Sequence, residues 1–171
     1  MDLRIEKTQT NIKNAFIELR AKKSLEKITV RELSDLARIN KATFYRHYED
    51  IYALSEEIEN EMIQNCVDMI TEPDKILEKD GICLLIEALN SQGNLYNIVF
   101  SGSRKEAAIS KIHDCLMDKI LLLHPEYEYD LEKKVMLTTL IYGTSRAYMV
   151  YKDIDIDTLI NSLVKLNRAL Q

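Results

Sequence analysis

The sequence is poor in residues that interrupt regular structure: its 171 residues include only 4 glycines and 2 prolines, and no tryptophan. Strands joined by tight turns need such residues at most reversals. Alternating runs of β-branched residues, which are typical of strands, are missing as well. Because 46% of the residues are nevertheless apolar, the composition predicts an all-α protein with a packed core. The apolar periodicity divides it into about nine helices.

Long apolar runs are lacking too. The longest, at 82–86 and 147–151, have five residues each, whereas a membrane-spanning helix needs about 20. The opening Met-Asp-Leu-Arg also lacks the apolar core of a signal peptide. We therefore expect a soluble, cytoplasmic protein with no membrane partner.

The sequence contains no recognisable catalytic or metal-binding arrangement. It has three histidines and three cysteines, and neither set has the spacing of a metal site. Cys66, Cys83 and Cys115 are far apart and lie among apolar residues, so we interpret them as buried thiols. Without a phosphate-binding glycine loop or a nucleophile motif, the sequence predicts neither an enzyme nor a cofactor or metal site.

Positive charge is concentrated near the start of the chain, although the net charge of the protein is −5. Residues 1–50 contain 11 Lys and Arg against 8 Asp and Glu, a net of +3. Residues 51–171 contain 12 against 20, a net of −8. A basic segment followed by an acidic remainder is the distribution expected when one part of a protein binds nucleic acid.

The segment 29–48, TVRELSDLARINKATFYRHY, predicts two short helices joined by a tight turn. Thr29 and Glu32 have the spacing of a capping box, so the first helix should begin directly after Thr29. Asn40 is a second N-cap candidate, which leaves about two residues for the turn. The second helix should then cover 41–47.

The second helix has one apolar side and one polar side. At about 100° per residue, Phe44 and Tyr48 lie on the same side and should face the core, which places Arg46 opposite them. Arginine and threonine suit the base edges of a major groove, whereas lysine, tyrosine and histidine suit phosphates. An ordinary helical hairpin with a mixed polar face is also compatible with this pattern. The candidate DNA-binding residues, including both N-caps, are Thr29, Asn40, Lys41, Ala42, Thr43, Tyr45, Arg46 and His47.

The second helix also carries a family resemblance. Residues 41–48, Lys-Ala-Thr-Phe-Tyr-Arg-His-Tyr, follow in order the pattern Lys-Gly-Thr-Leu-Tyr-x-His-Phe. Over residues 8–60 the chain resembles the DNA-binding domain of the TetR family of bacterial transcription regulators. The resemblance implies a three-helix head with a helix-turn-helix at 1–49. It also implies a helical ligand-binding and dimerisation domain at 50–171, which begins with a long connector helix.

In function, the resemblance implies a dimeric regulator that binds a palindromic operator in double-stranded DNA. It implies repression, relieved when a small-molecule effector binds the second domain. Three residues depart from the family pattern. Arg38 stands in the turn and Ala42 in the second helix where glycine is frequent, and Ile51 replaces a lysine that often meets phosphate.

Two further helices near the start complete the expected head and connector. Apolar spacing predicts the first helix over 7–22, with Arg20 on its outer surface. It predicts the connector over 50–70. The connector carboxylates at 56, 57, 59 and 61 should lie on its solvated face.

The last two helices, expected at 128–152 and 156–170, carry more apolar residues than one core contact needs. The last helix has an apolar stripe that ends with Leu166 and Leu170. Gly143 falls in the middle of the other, where glycine costs about 1 kcal/mol relative to alanine unless another backbone approaches. We therefore predict a homodimer held by a four-helix interface, although a purely intrachain core is the alternative. The predicted interface residues are Leu140, Gly143, Ala147, Tyr151, Leu159 and Leu163.

An effector pocket is expected among the helices that precede the last one. Its candidate polar lining is Tyr96, His113, Tyr142 and Tyr148, for each of which plain packing is the alternative. Two other interpretations remain open. The chain is either a TetR-like regulator or coactivator controlled by a protein partner without a small-molecule inducer, or an enzyme or structural helical module with a DNA-like motif.

Overall fold

The protein is all-helical over the described residues. The computed structural model describes residues 3–91, 93–101, 104–151 and 153–170, except the side chains at 74 and 170. This part of the chain has three short 3₁₀ segments, Leu25–Lys27, Pro73–Leu77 and Pro125–Tyr129. Its nine α-helices are α1 Leu3–Arg20, α2 Val30–Ala37, α3 Lys41–His47, α4 Ile51–Asp68, α5 Lys79–Ser91, α6 Gly93–Val99, α7 Arg104–Leu123, α8 Leu131–Val150 and α9 Ile156–Leu170.

Local capping sets the ends of the two short helices. The Thr29 hydroxyl accepts a hydrogen bond from the Glu32 N–H (3.3 Å), and the Thr29 N–H donates to the Glu32 carboxylate (3.3 Å). This capping box starts α2 at Val30. The Asn40 side chain caps α3 in the same way by accepting from the Thr43 N–H at 2.7 Å. The predicted bounds of both helices are therefore confirmed.

The chain forms two compact units. The first comprises Met1–Met62 and Asn94–Gly102, and the second comprises Ile63–Gly93 and Ser103–Gln171. The unit that contains α3 is thus larger than the expected head at 1–49. The fully buried side chains of its first four helices include Ile12, Phe16, Leu33, Phe44 and Leu54.

Arg20 is buried, with 7% of its surface exposed, so its predicted place on the outer surface of α1 was wrong. Its guanidinium donates hydrogen bonds to the carbonyls of Lys23 (3.1 Å) and Val99 (3.2 Å) and to the Ser101 hydroxyl (2.5 Å). Helical spacing cannot reveal these contacts, because two of the partners follow about 80 residues later. Within the first unit, Arg20 thereby connects α1 to the end of α6.

Three carboxylates of α4 form contacts within the first unit, and one of them is buried. Lys13 lies within salt-bridge distance of Glu57 (2.9 Å) and Glu61 (2.5 Å). The Tyr48 hydroxyl donates to Glu57 at 2.9 Å, and burial, with this hydrogen bond, raises the pKa of Tyr48. Glu59 is buried and accepts from the hydroxyl of Ser55, one turn earlier, at 2.7 Å. The solvated face predicted for these carboxylates was therefore wrong for Glu59, whereas Glu56 and Glu61 are exposed and Glu57 is half-buried.

The second unit has a core in which α9 covers α5. Ile82 and Ile86 of α5 pack with Leu159, Ile160, Leu163 and Val164 of α9, and Leu140, Ala147 and Tyr148 of α8 lie against them. Gly81 allows the start of α5 to approach the 3₁₀ segment Pro73–Leu77, because a Cβ there would clash with the backbone of Lys75 and Ile76.

The last helices match their predicted extents only in part. α8 begins at Leu131, after the 3₁₀ segment Pro125–Tyr129, and not at 128. Leu166, on the predicted apolar stripe of α9, is 57% exposed, and the side chain of Leu170 lies outside the described residues. No helix in the described ranges combines the length and the apolar character needed to cross a membrane.

Candidate nucleic-acid interface

The turn between α2 and α3 contains a residue in a left-handed conformation. Arg38 has φ 56° and ψ 45°, and its N–H donates to the carbonyls of Ser34 and Asp35. A left-handed residue at the C-terminus of a helix is usually a glycine, because a Cβ destabilises this conformation. Ile39 completes the turn, and Asn40 then caps α3.

The two sides of α3 differ as the sequence predicts. Phe44 is fully buried and Tyr48 is 5% exposed, and their rings lie 5.8 Å apart between centroids. Tyr45 is 57% exposed and its ring meets Phe44 edge-on. The outward face is completed by Lys41, Ala42 and Arg46, which are exposed, and by Thr43 and His47, which are half-buried.

Hydrogen bonds connect the polar side chains along α3. The Arg46 guanidinium donates to the Thr43 hydroxyl at 3.2 Å, which donates in turn to the Asn40 side-chain oxygen at 2.9 Å. The N-cap therefore orients Thr43, and Thr43 holds Arg46 along the helix. The arrangement presents one long donor and two small side chains to solvent.

A basic groove adjoins this face. It has a volume of about 800 Å³ and lies between the start of α1 and the turn that precedes α3. Three arginines and a histidine contribute to it, and none of the described residues that line it is acidic. We call it the arginine groove. Its lining residues are Arg4, Ile5, Thr8, Arg38, Ile39, Asn40, Thr43, Arg46 and His47.

Of the other predicted DNA-binding residues, Thr29 lies at the start of α2 and is exposed. Its hydroxyl also donates to Glu32 at 2.9 Å. Lys23 binds the same carboxylate, at 2.7 Å. Hydrogen bonds, first from Lys23 and then from Thr29, hold the pKa of Glu32 below its usual value. Thr29 is thus engaged in capping in the free protein.

The outer face of α8 and α9 is apolar. Two grooves, of about 270 Å³ and 370 Å³, both include Leu163 and Leu166 and so form one continuous surface. Gly143 lies on it, and a Cβ added there would meet no atom within 4 Å. We call this surface the apolar face. Its most exposed members are Val135 (55%), Tyr151 (52%), Ile154 (46%) and Leu166 (57%).

Two predicted interface residues serve the chain's own core. Leu159 and Leu163 are only 7% and 9% exposed, because they pack on Ile82 and Ile86 of α5. Their outer edges nevertheless line the grooves, and their place in a dimer interface stays a prediction. The other four predicted residues, Leu140, Gly143, Ala147 and Tyr151, also line the apolar face.

The proposed effector-binding residues are not brought together into one cluster. Tyr96 belongs to the first unit, where it packs on Phe100 with ring centroids 4.6 Å apart. In the second unit the rings of His113 and Tyr142 lie in a tilted contact, with centroids 4.8 Å apart, and His113 hydrogen-bonds the hydroxyl of Thr138 (3.0 Å). The hydroxyls of Tyr142 and Tyr148 donate to Ser110 (3.1 Å) and Asn90 (3.0 Å). Their role as a pocket lining stays a prediction.

Titratable side chains do not assemble into a metal site anywhere in the described ranges, where no three His, Cys, Asp or Glu groups converge.

Sequence reasoning missed Arg4, Thr8 and Arg38 as members of the basic surface. The basic character of Arg4 and Arg38 was visible, but the proximity of Arg4 to α3 depends on how α1 packs on α2. A comparison with protein-family models and one with curated proteins found no match to this chain.

Proposed function

We propose that the chain is a dimeric, sequence-specific DNA-binding transcription regulator with a TetR-like helix-turn-helix formed by α2 and α3. The observation that carries the proposal is the polarity of α3. Its aromatic side anchors it in the core, and its other side presents Arg46 and Thr43 beside a groove lined by three arginines. A single exposed helix with this composition fits the major groove of B-DNA.

Arg46 and Thr43 are the proposed base-reading residues. An arginine reads guanine through two parallel hydrogen bonds, and a threonine contacts a base edge or a thymine methyl. Lys41, Tyr45 and His47 flank them and contact phosphates, which position the helix without reading sequence.

Dimerisation through the apolar face supplies the second reading helix. Singly exposed apolar side chains are ordinary, but a continuous groove system over two helices marks an interaction surface. We assign this surface to a second copy because Gly143 lies within it and leaves open space for a neighbouring backbone. A two-fold dimer binds a palindromic operator with its half-sites about 34 Å apart, or a multiple of that distance.

The proposal covers DNA binding and dimerisation. Control by a small-molecule effector, or by a protein partner, stays a prediction because no described contact favours one over the other.

Selection from a pool of random duplexes tests the DNA-binding proposal. Wild-type protein should enrich a palindromic sequence and bind it with affinity that falls steeply with salt. Lys41→Ala and Tyr45→Phe should weaken binding to all sequences alike. Arg46→Ala should cost about 1–3 kcal/mol per half-site and relax the preference at one base pair. Arg168→Gln, which removes an exposed charge from α9, is the matched control.

Enrichment of no sequence by the folded wild-type protein at moderate salt contradicts the regulator proposal.

Sedimentation equilibrium tests the dimer. Leu166→Glu places a charge in both grooves and should give monomers. Asn161→Glu adds the same charge at an exposed position of α9 that lines neither groove, and it should leave the dimer intact. A charge at Leu159 or Leu163 would not isolate the interface, because both side chains are buried in the core. An unchanged mass for Leu166→Glu refutes this interface.

A further inference from the structure

Arg38 has a backbone conformation that its side chain makes unfavourable. It is the one non-glycine residue with positive φ in the described part of the chain. Its backbone caps α2 through the N–H group, and a glycine would supply the same group without strain. The capping role therefore does not explain an arginine here. A strained residue points to a function for its side chain.

No polar contact in the described part of the chain uses the Arg38 side chain. Arg38 is exposed, and among the described contacts no hydrogen bond or salt bridge engages its guanidinium. By contrast, the buried guanidinium of Arg20 binds three acceptors in the same unit. An exposed, strained arginine without a described partner is available to an external ligand.

Arg38 borders two grooves: the one away from α3, of about 330 Å³, includes Glu18, whereas the one beside α3 is basic. Arg38 lines the arginine groove together with Arg4, Arg46 and His47, and the described lining has no carboxylate. Guanidinium groups bind phosphate oxygens through paired hydrogen bonds. Because Arg46 belongs to both the groove and the outward face of α3, one nucleic acid strand can meet both surfaces.

We propose that Arg38 binds a backbone phosphate of the DNA at the edge of the major groove that α3 enters. This inference rests on the proposed function and extends the DNA contact from α3 to the turn before it. An arginine at position 38 makes the fold less stable than a glycine would, and the phosphate contact is the function that accounts for this cost.

Three substitutions at this position separate charge from strain. Arg38→Gln removes the charge and keeps the strained Cβ, Arg38→Lys keeps both, and Arg38→Gly removes both. The binding partner is the duplex that wild-type protein selects from a random pool, titrated over a range of salt concentrations. Arg168→Gln on α9 is again the control for a lost positive charge.

The expected results follow from counterion release. Each neutralised phosphate contributes about 0.9 to the slope of log affinity against log salt, so two copies of Arg38 in a dimer contribute about 1.8. Arg38→Gln and Arg38→Gly should lose that slope and bind roughly 60-fold more weakly at about 0.1 M salt. Arg38→Lys and Arg168→Gln should keep the wild-type slope. Only Arg38→Gly should raise the urea midpoint of unfolding.

The outcomes distinguish this inference from the proposed function. If wild-type protein selects DNA and Arg38→Gln binds it with the wild-type slope, the phosphate contact is wrong and the regulator proposal stands. If wild-type protein binds no DNA, both fail. An Arg38→Gly variant with no gain in urea midpoint overturns the argument from strain.

Discussion

Gly143→Ala should have opposite effects on folding and on dimerisation. The residue lies in the middle of α8 and is exposed, and an added Cβ would touch nothing in its own chain. The substitution therefore adds no intrachain contact, and only helix propensity changes. Alanine is more favourable than glycine by about 0.8–1.0 kcal/mol in a helix interior, so the isolated chain should gain about that amount.

The dimer should respond in the other direction. If the backbone of a second copy approaches Gly143, the added methyl group must be accommodated between two close helices. Overpacking of this kind typically costs about 1–3 kcal/mol, which corresponds to a dissociation constant raised by roughly 5–150-fold.

The two effects are measured separately. Urea denaturation of Gly143→Ala in the monomeric Leu166→Glu background gives the folding effect, and sedimentation equilibrium of Gly143→Ala alone gives the association. A gain in stability of the monomer with unchanged or tighter association refutes the assignment of Gly143 to the interface. A loss of stability in the monomer refutes the open environment described for it.

Three further predictions concern the two compact units. Arg20→Met should lower the free energy of unfolding by about 2–4 kcal/mol, because three acceptors lose a charged donor. The control Lys22→Met, at an exposed position, should change it by less than about 0.5 kcal/mol. Equal urea midpoints for the two variants would contradict the contacts of Arg20. Burial raises the pKa of Cys66 to about 12, so its thiol should resist alkylation at neutral pH until the protein unfolds. Rapid labelling of Cys66 in native buffer would contradict its burial. The pKa of Glu32 is lowered from 4.5, foremost by the hydrogen bond from Lys23, so Glu32 stabilises the fold above pH 4.5 and this contribution is lost as pH falls through the lowered pKa. Glu32→Gln should therefore flatten the acid-induced fall of the urea midpoint. An unchanged pH profile would contradict the contact between Lys23 and Glu32.

The parts of the structure that were predictable from sequence depend on neighbouring residues. The capping box of Thr29 and Glu32 and the cap at Asn40 set the ends of α2 and α3 within four residues, so the sequence alone located both helices. The sides of α3 followed from helical spacing, since Phe44 and Arg46 differ in direction by about 200°.

The parts that were not predictable depend on distant residues. Arg20 looked like a surface charge on a helical wheel, yet it binds the end of α6, about 80 residues later. Likewise, periodicity placed Leu163 and Leu166 on one stripe of α9. Only the packing of α5 decides that the first is covered by its own chain and the second remains exposed.

The division of α3 into two sides has a practical consequence. Folding depends on the inward aromatic pair and on the cap, whereas Lys41, Ala42 and Tyr45 protrude from the surface. A combinatorial library randomised at these three positions, without proline, should consist almost entirely of folded members. The helix is thus a scaffold on which new binding preferences can be selected while the host protein keeps its thermal tolerance.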